Sequence, residues 1–304
     1  VEEMANREKF AEHVNKMIDD LKDLQQDKLL FRYNGVLYPS LMCNQETFEA
    51  LNSFETREDD IMLAAYPKCG TNWTLHLLQD MVHAVHKKDP TGFIPVLEFT
   101  GENKFEKFKE EASPRILVTH LSYDGIPKNL FNKKYKILVV FRNPKDTALS
   151  YYHFYKNNPV FPTYSSWDTF FEDFMTGNVC WGSYFDHVLE WNKHIDDENI
   201  MIVTFEEMKE DLEAAIKKMS LFSGFSLSEE QIQSIADKGT FKSMKEKSEK
   251  THGAFGKVLF RKGEVGDWKN IFTEAQNQEM DAKFEQCLAG TKLGEMLQYN
   301  VYCK

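Results

Sequence analysis

Four short apolar segments limit what this chain can fold into: IMLAAY at 61–66, RILVTH at 115–120, KILVVF at 136–141 and NIMIVTF at 199–205. Their apolar residues are consecutive, which is typical of strands buried on both faces of a parallel sheet. Two stretches have helical spacing, with apolar residues at Leu75, Leu78, Val82 and Val85 and at Trp181, Tyr184, Phe185, Val188 and Trp191. This alternation predicts an α/β fold with a central parallel β-sheet flanked by helices.

The domain organisation follows from length and from the first residues. A chain of 304 residues can form one large α/β domain or two smaller ones. Repeats and Pro/Gly-rich linkers are absent, which favours a single domain over 1–304. The first 25 residues have the pattern of an amphipathic helix, and Asn34-Gly35 lies between apolar runs as in a hairpin. We expect residues 1–45 to pack on the rim of the domain.

Charge and cysteine content exclude several classes of protein. The formal net charge is −11, which disfavours binding to nucleic acid and requires a local basic cluster for any anionic ligand. The five cysteines show neither the spacing of a disulfide framework nor a CxxC metal site, which indicates a reducing compartment. No leader pattern and no apolar run near 18 residues is present. The sequence therefore predicts a soluble cytoplasmic protein without a membrane segment, and it shows no cluster of metal ligands.

The stretch AAYPKCGTNW, 64–73, joins the first apolar segment to a helical pattern. Gly70 allows the backbone to approach a ligand, and the free N–H groups of a helix that starts near Thr71 would face the loop. Lys68 adds a positive charge. The loop is P-loop-like but lacks the GxxxxGK[ST] order of a nucleotide triphosphatase. The alternative is an ordinary βα turn with a surface lysine, and Trp73 is either a stacking platform for a base or a core residue.

Two other strand ends carry residues of interest. Arg142 follows the third apolar segment, where its guanidinium suits a phosphate or an acidic neighbour, and Ser150 lies about two turns into the next helix. His120 closes the second segment and is the only one of nine histidines so placed. A neutral imidazole there could take a proton from a hydroxyl, or could simply be a buried histidine bonded to backbone.

A fourth motif, FRKGEVGDWK at 260–269, places Arg261 and Lys262 before Gly263. Alone it could be a solvated charged surface. In chain order, however, the four motifs resemble those of the cytosolic sulfotransferases, which transfer a sulfuryl group from 3′-phosphoadenosine 5′-phosphosulfate (PAPS) to a hydroxyl or amine and release the bisphosphate PAP. The resemblance runs from about residue 10 to the C-terminus, includes SWDTFFEDFMTGNVCWGSYFDHVLEWN and GTFKSM, and is closest to the 6B branch.

The resemblance implies a role for each matching residue. His120 would be the catalytic base, and Lys68 would contact the phosphosulfate and stabilise the leaving group. Binding of the nucleotide would involve Lys68, Cys69, Gly70, Thr71 and Asn72 in the loop, Trp73 on adenine, Arg142, Ser150, Arg261, Lys262 and Gly263 at the 3′-phosphate, and Phe205, Thr240, Phe241 and Met244 on the base and ribose side. The two separate basic clusters suit a ribose with a charged phosphate at each end, and no metal is implied.

The sequence departs from the family pattern at several positions. Cys69 replaces a common serine, and a thiol beside Lys68 at a helix N-terminus is expected to have a lowered pKa and to react with oxidants. Val118 stands where many members have a lysine, and Phe205 where a tyrosine is frequent. The segment KNIFTEAQNQ, Lys269 to Gln278, only partly follows the family's dimerisation motif, which leaves a homodimer uncertain.

The resemblance implies sulfuryl transfer from PAPS to the hydroxyl of a small hydrophobic acceptor such as a phenol, an iodothyronine like thyroxine, or a sterol. Such an activity belongs to sulfate conjugation, either of thyroid hormone or in xenobiotic metabolism. Two alternatives stay open. One is a nucleotide-binding protein of the same fold with weak or lost transfer, and the other is a nucleotide kinase.

Overall fold

A computed structural model describes residues 28–90, 95–252 and 261–304, without side chains for 247–252. Its centre is a four-stranded parallel sheet of β3 (Ile61–Ala65), β4 (Ile116–Thr119), β5 (Lys136–Phe141) and β6 (Ile200–Thr204), in the order β4-β3-β5-β6. All residues of β3 and β4 and all of β5 except Lys136 are buried. The predicted α/β domain with a central parallel sheet is therefore confirmed. The predicted bounds of β5 match the observed ones, and the other three predicted strands are one or two residues longer than the observed ones.

A hairpin precedes the sheet, as the sequence predicts. Strand β1 (Leu30–Tyr33) pairs antiparallel with β2 (Val36–Pro39), and both turn residues, Asn34 and Gly35, have the positive φ of a type I′ turn. The hairpin lies against residues 178–181 through a bridge between Leu37 and Cys180. The amphipathic helix predicted over the first 25 residues lies outside the described residues, and the rim position of 1–45 as a whole stays a prediction.

Helices connect and flank the strands. Between the hairpin and β4 lie α1 (Gln45–Leu51), α2 (Thr71–His86) and α3 (Lys104–Glu110). Between β5 and β6 lie α4 (Pro144–Asn157), α5 (Trp167–Thr176) and α6 (Tyr184–Asn192). After β6 come α7 (Phe205–Glu210), α8 (Leu212–Phe222), α9 (Glu229–Lys238), α10 (Phe241–His252), α11 (Glu274–Cys287), α12 (Lys292–Met296) and α13 (Tyr299–Tyr302). Short 3-10 turns cover Lys128–Phe131 and Asp267–Asn270.

The two helical patterns read from the sequence are confirmed with one correction each. In α2, Leu75, Leu78 and Val82 are buried, but Val85 is 37% exposed because it lies beyond the packed part of the helix. The second pattern begins at Trp181 in the sequence, whereas α6 begins at Tyr184. Trp181 and Gly182 both have positive φ, so the chain is still turning there. Trp181 thus belongs to the loop that faces the hairpin.

The topology brings the carboxyl ends of β3, β4 and β5 to one edge of the sheet, where open α/β sheets bind ligands. Lys68, His120 and Arg142 all lie just beyond these strand ends. No helix within the described ranges is long and apolar enough to cross a membrane.

Candidate active site

The loop after β3 is shaped by two residues in left-handed conformations. Lys68 has φ 70° and Gly70, the N-cap of α2, has φ 109°. A Cβ at Gly70 would lie 3.0 Å from the Phe205 ring, so the close approach of α7 also requires glycine. No side chain caps the first turn of α2. Its free N–H groups and the positive end of its dipole are therefore available to an anion.

Two polar groups of this loop lack partners within the described structure. The buried Thr71 hydroxyl has no hydrogen bond, and no described carboxylate lies within ion-pair distance of Lys68. The Lys68 ammonium instead lies 4.2 Å from the centroid of the Phe154 ring. Burial, together with the charges of Arg142 and Arg261, lowers the pKa of Lys68 to about 7. An anion bound at this loop would accept a hydrogen bond from the Thr71 hydroxyl and would provide a counter-charge for the Lys68 ammonium.

The Cys69 thiol corrects one expectation. It is fully buried, with its sulfur 3.7 Å from the Thr147 hydroxyl. Burial raises the pKa of Cys69 to about 12, and the opposing effects of Thr147 and Arg142 are smaller. The expectation of a lowered pKa and a reactive thiol is wrong, because desolvation outweighs the helix N-terminus and the neighbouring cations. Cys69 remains a predicted loop residue through its main chain.

Arg142 lies directly after β5 and is 7% exposed. Its Nη2 donates to the Glu264 carbonyl at 2.7 Å, and its guanidinium lies 4.3 Å from the centroid of the Phe205 ring. Its buried Nε has no described acceptor. Ser150 lies two turns along α4 and is half-buried. The unpaired Nε is a donor that a bound phosphate oxygen would satisfy.

The segment 261–268 carries the second group of cations. Asp267 accepts hydrogen bonds from Arg261 and from Lys262, both at 2.6 Å. Burial opposes ionisation of Asp267, but these bonds and one from Asn270 lower its pKa to about 2. At Gly263, with φ 66°, a Cβ would overlap the Phe241 ring. The segment is thus a compact turn with its cations already paired to a carboxylate.

Asp146 joins this segment to the end of β5. Its carboxylate, on the first turn of α4, accepts from the Gly266 N–H at 2.7 Å and the Trp268 N–H at 3.1 Å. With the Arg142 bond to the Glu264 carbonyl, these contacts bring the segment 261–268 next to Arg142 and the start of α4. Neither Asp146 nor Asp267 was picked out from the sequence. An acidic residue in a first helical turn is common, and nothing local marks Asp146 as the anchor of a segment 120 residues away.

The remaining predicted nucleotide residues lie around the same loop. Phe205 begins α7 and contacts Trp73 edge-on, with ring centroids 5.3 Å apart. Trp73 is buried and donates from Nε1 to the Gly239 carbonyl at 2.8 Å, next to Thr240. Met244 is buried one turn along α10 from Phe241. Asn72 lies on the first turn of α2. The structure therefore gathers these residues at one place, and their contacts with a nucleotide stay predictions.

His120 follows β4 and is fixed at both its ring and its main chain. Its Nδ1 lies 2.8 Å from the carbonyl oxygen of Ala65, the last residue of β3. Since a carbonyl only accepts, Nδ1 carries the hydrogen and Nε2 keeps a lone pair. The His120 N–H donates to Glu98 at 2.7 Å. Burial lowers the pKa of His120, and the Glu98 charge offsets this in part. The ring is thus a neutral base with one nitrogen available.

Aromatic side chains surround His120. The Trp181 ring lies edge-on with its centroid at 5.2 Å, and the Phe99 centroid is at 6.2 Å. Val118, two residues before His120, is buried in β4 and carries no charge to the site. Within the described ranges, no group of three or more His, Cys, Asp or Glu residues could hold a metal ion. The chemistry available here is proton transfer beside a cluster of cations.

Comparisons with known proteins agree with this geometry. Residues 58–292 match the Sulfotransferase domain family. The chain is 51% identical over 301 residues to Sulfotransferase 6B1 of Mus musculus, covering 99% of both chains. It is 52% identical over 302 residues to Sulfotransferase 6B1 of Homo sapiens, covering 99% of this chain and 100% of the relative.

Two solved structures share the fold of this chain. The crystal structure of mouse sulfotransferase SULT7A1 complexed with PAP superposes with a TM-score of 0.80 at 34% identity, covering 91% of this chain and 100% of that one. Retinol dehydratase, in complex with androsterone and the inactive cofactor PAP, has a TM-score of 0.70 at 19% identity and so shares the fold.

Proposed function

The chain belongs to the sulfotransferase family, and on that premise we propose that His120 is the general base for transfer to the hydroxyl of a small apolar acceptor. The chain is a sulfotransferase enzyme whose donor is PAPS. The observation that best supports the role of His120 is the contact between its Nδ1 and the Ala65 carbonyl. This contact leaves Nε2 to accept a proton at the sheet edge where the Lys68 loop begins.

The donor site is proposed at the unpaired groups around that loop. The free Thr71 hydroxyl, the free Arg142 Nε and the Lys68 ammonium fit an anionic nucleotide. The further residues that we propose for the nucleotide are Cys69, Gly70, Asn72, Trp73, Ser150, Phe205, Thr240, Phe241, Met244, Arg261, Lys262 and Gly263. PAPS supplies the sulfuryl group. The protein contributes positioning and charge stabilisation, which are the main requirements of such in-line transfers.

Lys68 is proposed to stabilise the departing anion. Its positive charge is opposed by burial and by Arg142 and Arg261, so that negative charge developing nearby favours its protonated form. A charge held in a partly dehydrated site acts more strongly than one in water. The bound donor would therefore already favour the charged form of Lys68, and the interaction would strengthen as the leaving group develops further charge.

The acceptor is proposed to be a small hydrophobic compound with a hydroxyl. Support comes from Phe99 and Trp181 beside His120 and from Phe154 beside Lys68, which offer apolar and aromatic contacts. Simple phenols, iodothyronines such as thyroxine and sterol-like alcohols all meet this description. The proposed setting is sulfate conjugation in the cytoplasm, in thyroid hormone or xenobiotic metabolism, without nucleic acid or membrane partners.

A homodimer is not part of the proposal. In the segment Lys269–Gln278, Thr273 caps its own helix α11 and the Gln278 amide donates to Glu274 on that helix. These contacts are internal to the chain and neither require nor favour a second copy.

The test is a transfer assay with mass detection of the product. The native chain is incubated with PAPS and EDTA in the presence of 4-nitrophenol, thyroxine or a sterol, and in parallel with ATP and Mg²⁺. We expect a sulfated product from PAPS with at least one of these hydroxyl compounds. Binding of PAP without any sulfated product would instead identify a nucleotide-binding protein, and a phosphorylated product from ATP would identify a kinase.

A further inference from the structure

Glu98 is a fully buried carboxylate next to the end of β4. Residues 95–97 run alongside β4, with the Leu97 N–H donating to the Val118 carbonyl at 2.7 Å and the Val118 N–H donating to the Pro95 carbonyl at 2.8 Å. These two bonds extend the sheet edge and place Glu98 beside the residue that follows β4. The position of the carboxylate is thus set by backbone pairing.

Three donors from two parts of the chain converge on Glu98. Its Oε2 accepts from the Thr119 hydroxyl at 2.9 Å. Its Oε1 accepts from the His120 main-chain N–H at 2.7 Å and from the Trp181 indole N–H at 3.1 Å. Hydrogen bonds to a charged acceptor in a dry site are the stronger ones in proteins. One side chain therefore fixes both the main chain of His120 and the ring that covers it.

Trp181 needs stabilising contacts of this kind, because its backbone φ is 60°. A non-glycine residue in this region carries backbone strain that its surroundings must stabilise, and such residues cluster at functional sites. Its N–H donates to the Leu37 carbonyl of the hairpin at 2.9 Å, and its indole is held by Glu98. The centroids of the Trp181 and His120 rings are 5.2 Å apart, so any movement of the Trp181 ring changes the surroundings of the His120 imidazole.

Lys104 supports the turn that presents Glu98. Its ammonium is buried and donates to the carbonyl oxygens of Val96, Leu97 and Phe99, the bond to Leu97 being 2.8 Å. Burial lowers the pKa of Lys104 to about 8, and the Glu98 charge opposes that change. An isolated buried carboxylate is unfavourable, because it loses its hydration without gaining a partner. The nearby cation and the three donors offset this cost, whereas a neutral glutamine could keep much of the same hydrogen bonding without it.

We propose that Glu98 is a positioning residue for transfer: its carboxylate holds His120 and Trp181 in a fixed relation at the reaction site. The inference rests on the proposed role of His120 as the base. It adds that the charge of Glu98, and not only its shape, is part of the site, since that charge favours protonation of the His120 imidazole after it accepts the proton of the acceptor.

Several other titratable groups face this pair, and they bear on any pH dependence. From the β3 loop, the Lys68 charge lowers the pKa of His120. From α6, the buried His187 has its pKa lowered to about 3 by burial, so it stays neutral. From the hairpin and the turn after it, the pKa values of Tyr38 and Cys43 are raised by burial and by Glu98, so both stay neutral as well. Among the described residues, Glu98, Lys68 and Lys104 are therefore the groups whose charge bears on this pair, and burial lowers the pKa of both lysines.

The experiment compares Glu98→Gln with Glu98→Asp and with Glu111→Gln as a matched control. Glu111 has a side chain 7% exposed that accepts from Lys88 at 2.8 Å, near the other end of β4. Circular dichroism first shows which variants fold. Two readouts follow: the pH dependence of kcat/KM for transfer, and a direct NMR titration of the His120 ring, assigned by its absence in His120→Gln.

In Glu98→Gln we expect the His120 titration and the acid limb of the profile to move to lower pH, and the plateau of kcat/KM to fall about tenfold or more. Glu98→Asp should keep the titration close to native while lowering the plateau, and it carries the test if Glu98→Gln does not fold. Glu111→Gln should match the native chain in both readouts.

The inference would be overturned if the His120 ring titrated at the same pH in Glu98→Gln and in the native chain. It would also be overturned if Glu98→Asp, whose side chain is shorter, kept the native kcat/KM. If the titration moves as expected but the native chain transfers nothing, the role of Glu98 stands as a held charge beside His120 and the proposed function fails. The two failures are therefore separable.

Discussion

On one side of the shared sheet edge lie the cations Lys68, Arg142, Arg261 and Lys262. The last three are bound into a network with Asp146, Asp267 and main-chain oxygens. On the other side, His120 is uncharged, enclosed by aromatic rings, and held through a carbonyl and one buried carboxylate. We call these the cation side and the histidine side. The first suits binding of a highly charged nucleotide, and the second suits proton transfer from an apolar acceptor.

The cation side itself contains two kinds of cation. Arg261 and Lys262 share the carboxylate of Asp267, whereas Lys68 and Arg142 lie over the Phe154 and Phe205 rings, with no described carboxylate in ion-pair contact. A paired cation gives up part of its interaction with a new anion, since the carboxylate competes for it. Lys68 and Arg142 should therefore contribute more to nucleotide binding than the paired cations do.

The largest expected effect separates the two sides. His120→Ala should lower the rate of transfer by about 10²–10⁴, the usual contribution of a general base. It should leave the affinity for PAP nearly unchanged, because the described hydrogen bond of the His120 ring is to the Ala65 carbonyl and not to a group proposed to bind the nucleotide phosphates. Single-turnover transfer and calorimetric titration with PAP measure the two effects. His194→Ala, which removes a histidine that pairs with Asp197 near the surface, is the control.

Transfer by His120→Ala at the native rate would show that His120 is not the general base and that its contacts are only structural. A parallel loss of PAP affinity would show that the histidine side and the cation side are not independent.

The next effect tests the unpaired cations. Arg142→Gln should weaken PAP binding by about tenfold to hundredfold, the range expected for the loss of a hydrogen-bonded charge. Arg142→Lys should restore little, because an ammonium cannot bond the Glu264 carbonyl and a phosphate with a planar fork. Lys217→Gln removes the same charge from an exposed pair with Glu229 and should bind PAP normally.

Native affinity in Arg142→Gln would mean that Arg142 serves only to hold Glu264. The ranking of unpaired over paired cations would then be reversed, with Arg261 and Lys262 as the main phosphate contacts.

A smaller effect concerns pH. Burial, with Arg142 and Arg261 nearby, lowers the pKa of Lys68 from 10.5 to about 7. Because an anion favours the charged form of Lys68, PAP binding should take up a proton and weaken above pH 7, by at most about tenfold per pH unit.

The lowered pKa of Lys68 also affects the stability of the fold. Between pH 7 and 10.5 the Lys68 side chain is protonated in the unfolded chain but deprotonated in the folded chain. The contribution of Lys68 to stability therefore rises with pH across that window.

Calorimetry with PAP in two buffers of different ionisation enthalpy measures the proton uptake. Lys68→Met should abolish it. Equal apparent enthalpies in both buffers for the native chain would contradict a lowered pKa at Lys68, and would place that lysine with the fully charged cations.

The sequence predicts the parts of this molecule that depend on local patterns. The four strands, the Asn34-Gly35 hairpin and the strand-loop-helix junction at Lys68 each follow from neighbouring residues. The strand ends also predict that Lys68, His120 and Arg142 meet, because parallel strands share one edge.

What the sequence does not reveal are the carboxylates that hold these residues. Asp146 binds main-chain groups 120 and 122 residues away, and Glu98 binds an indole 83 residues away. Nothing near Asp146 or Glu98 in the sequence distinguishes them from an acidic residue at a helix N-terminus or on the surface.

Burial is the second property that the sequence does not reveal. The expectation for Cys69 relied on its neighbours in sequence, whereas the pKa of Cys69 is determined by its complete burial.

The smallest expected effect therefore concerns that thiol. Because the Cys69 pKa is raised to about 12 and its sulfur is enclosed beside Thr147, Cys69 should remain unlabelled when the native chain is treated with a thiol reagent at neutral pH. Cys287 is partly exposed and should react first, whereas Cys43, Cys180 and Cys303 are buried like Cys69. Peptide mass spectrometry before and after denaturation gives the order. Rapid labelling of Cys69 that PAP prevents would mean that the loop opens, and that the cation side is less rigid than its hydrogen bonds indicate.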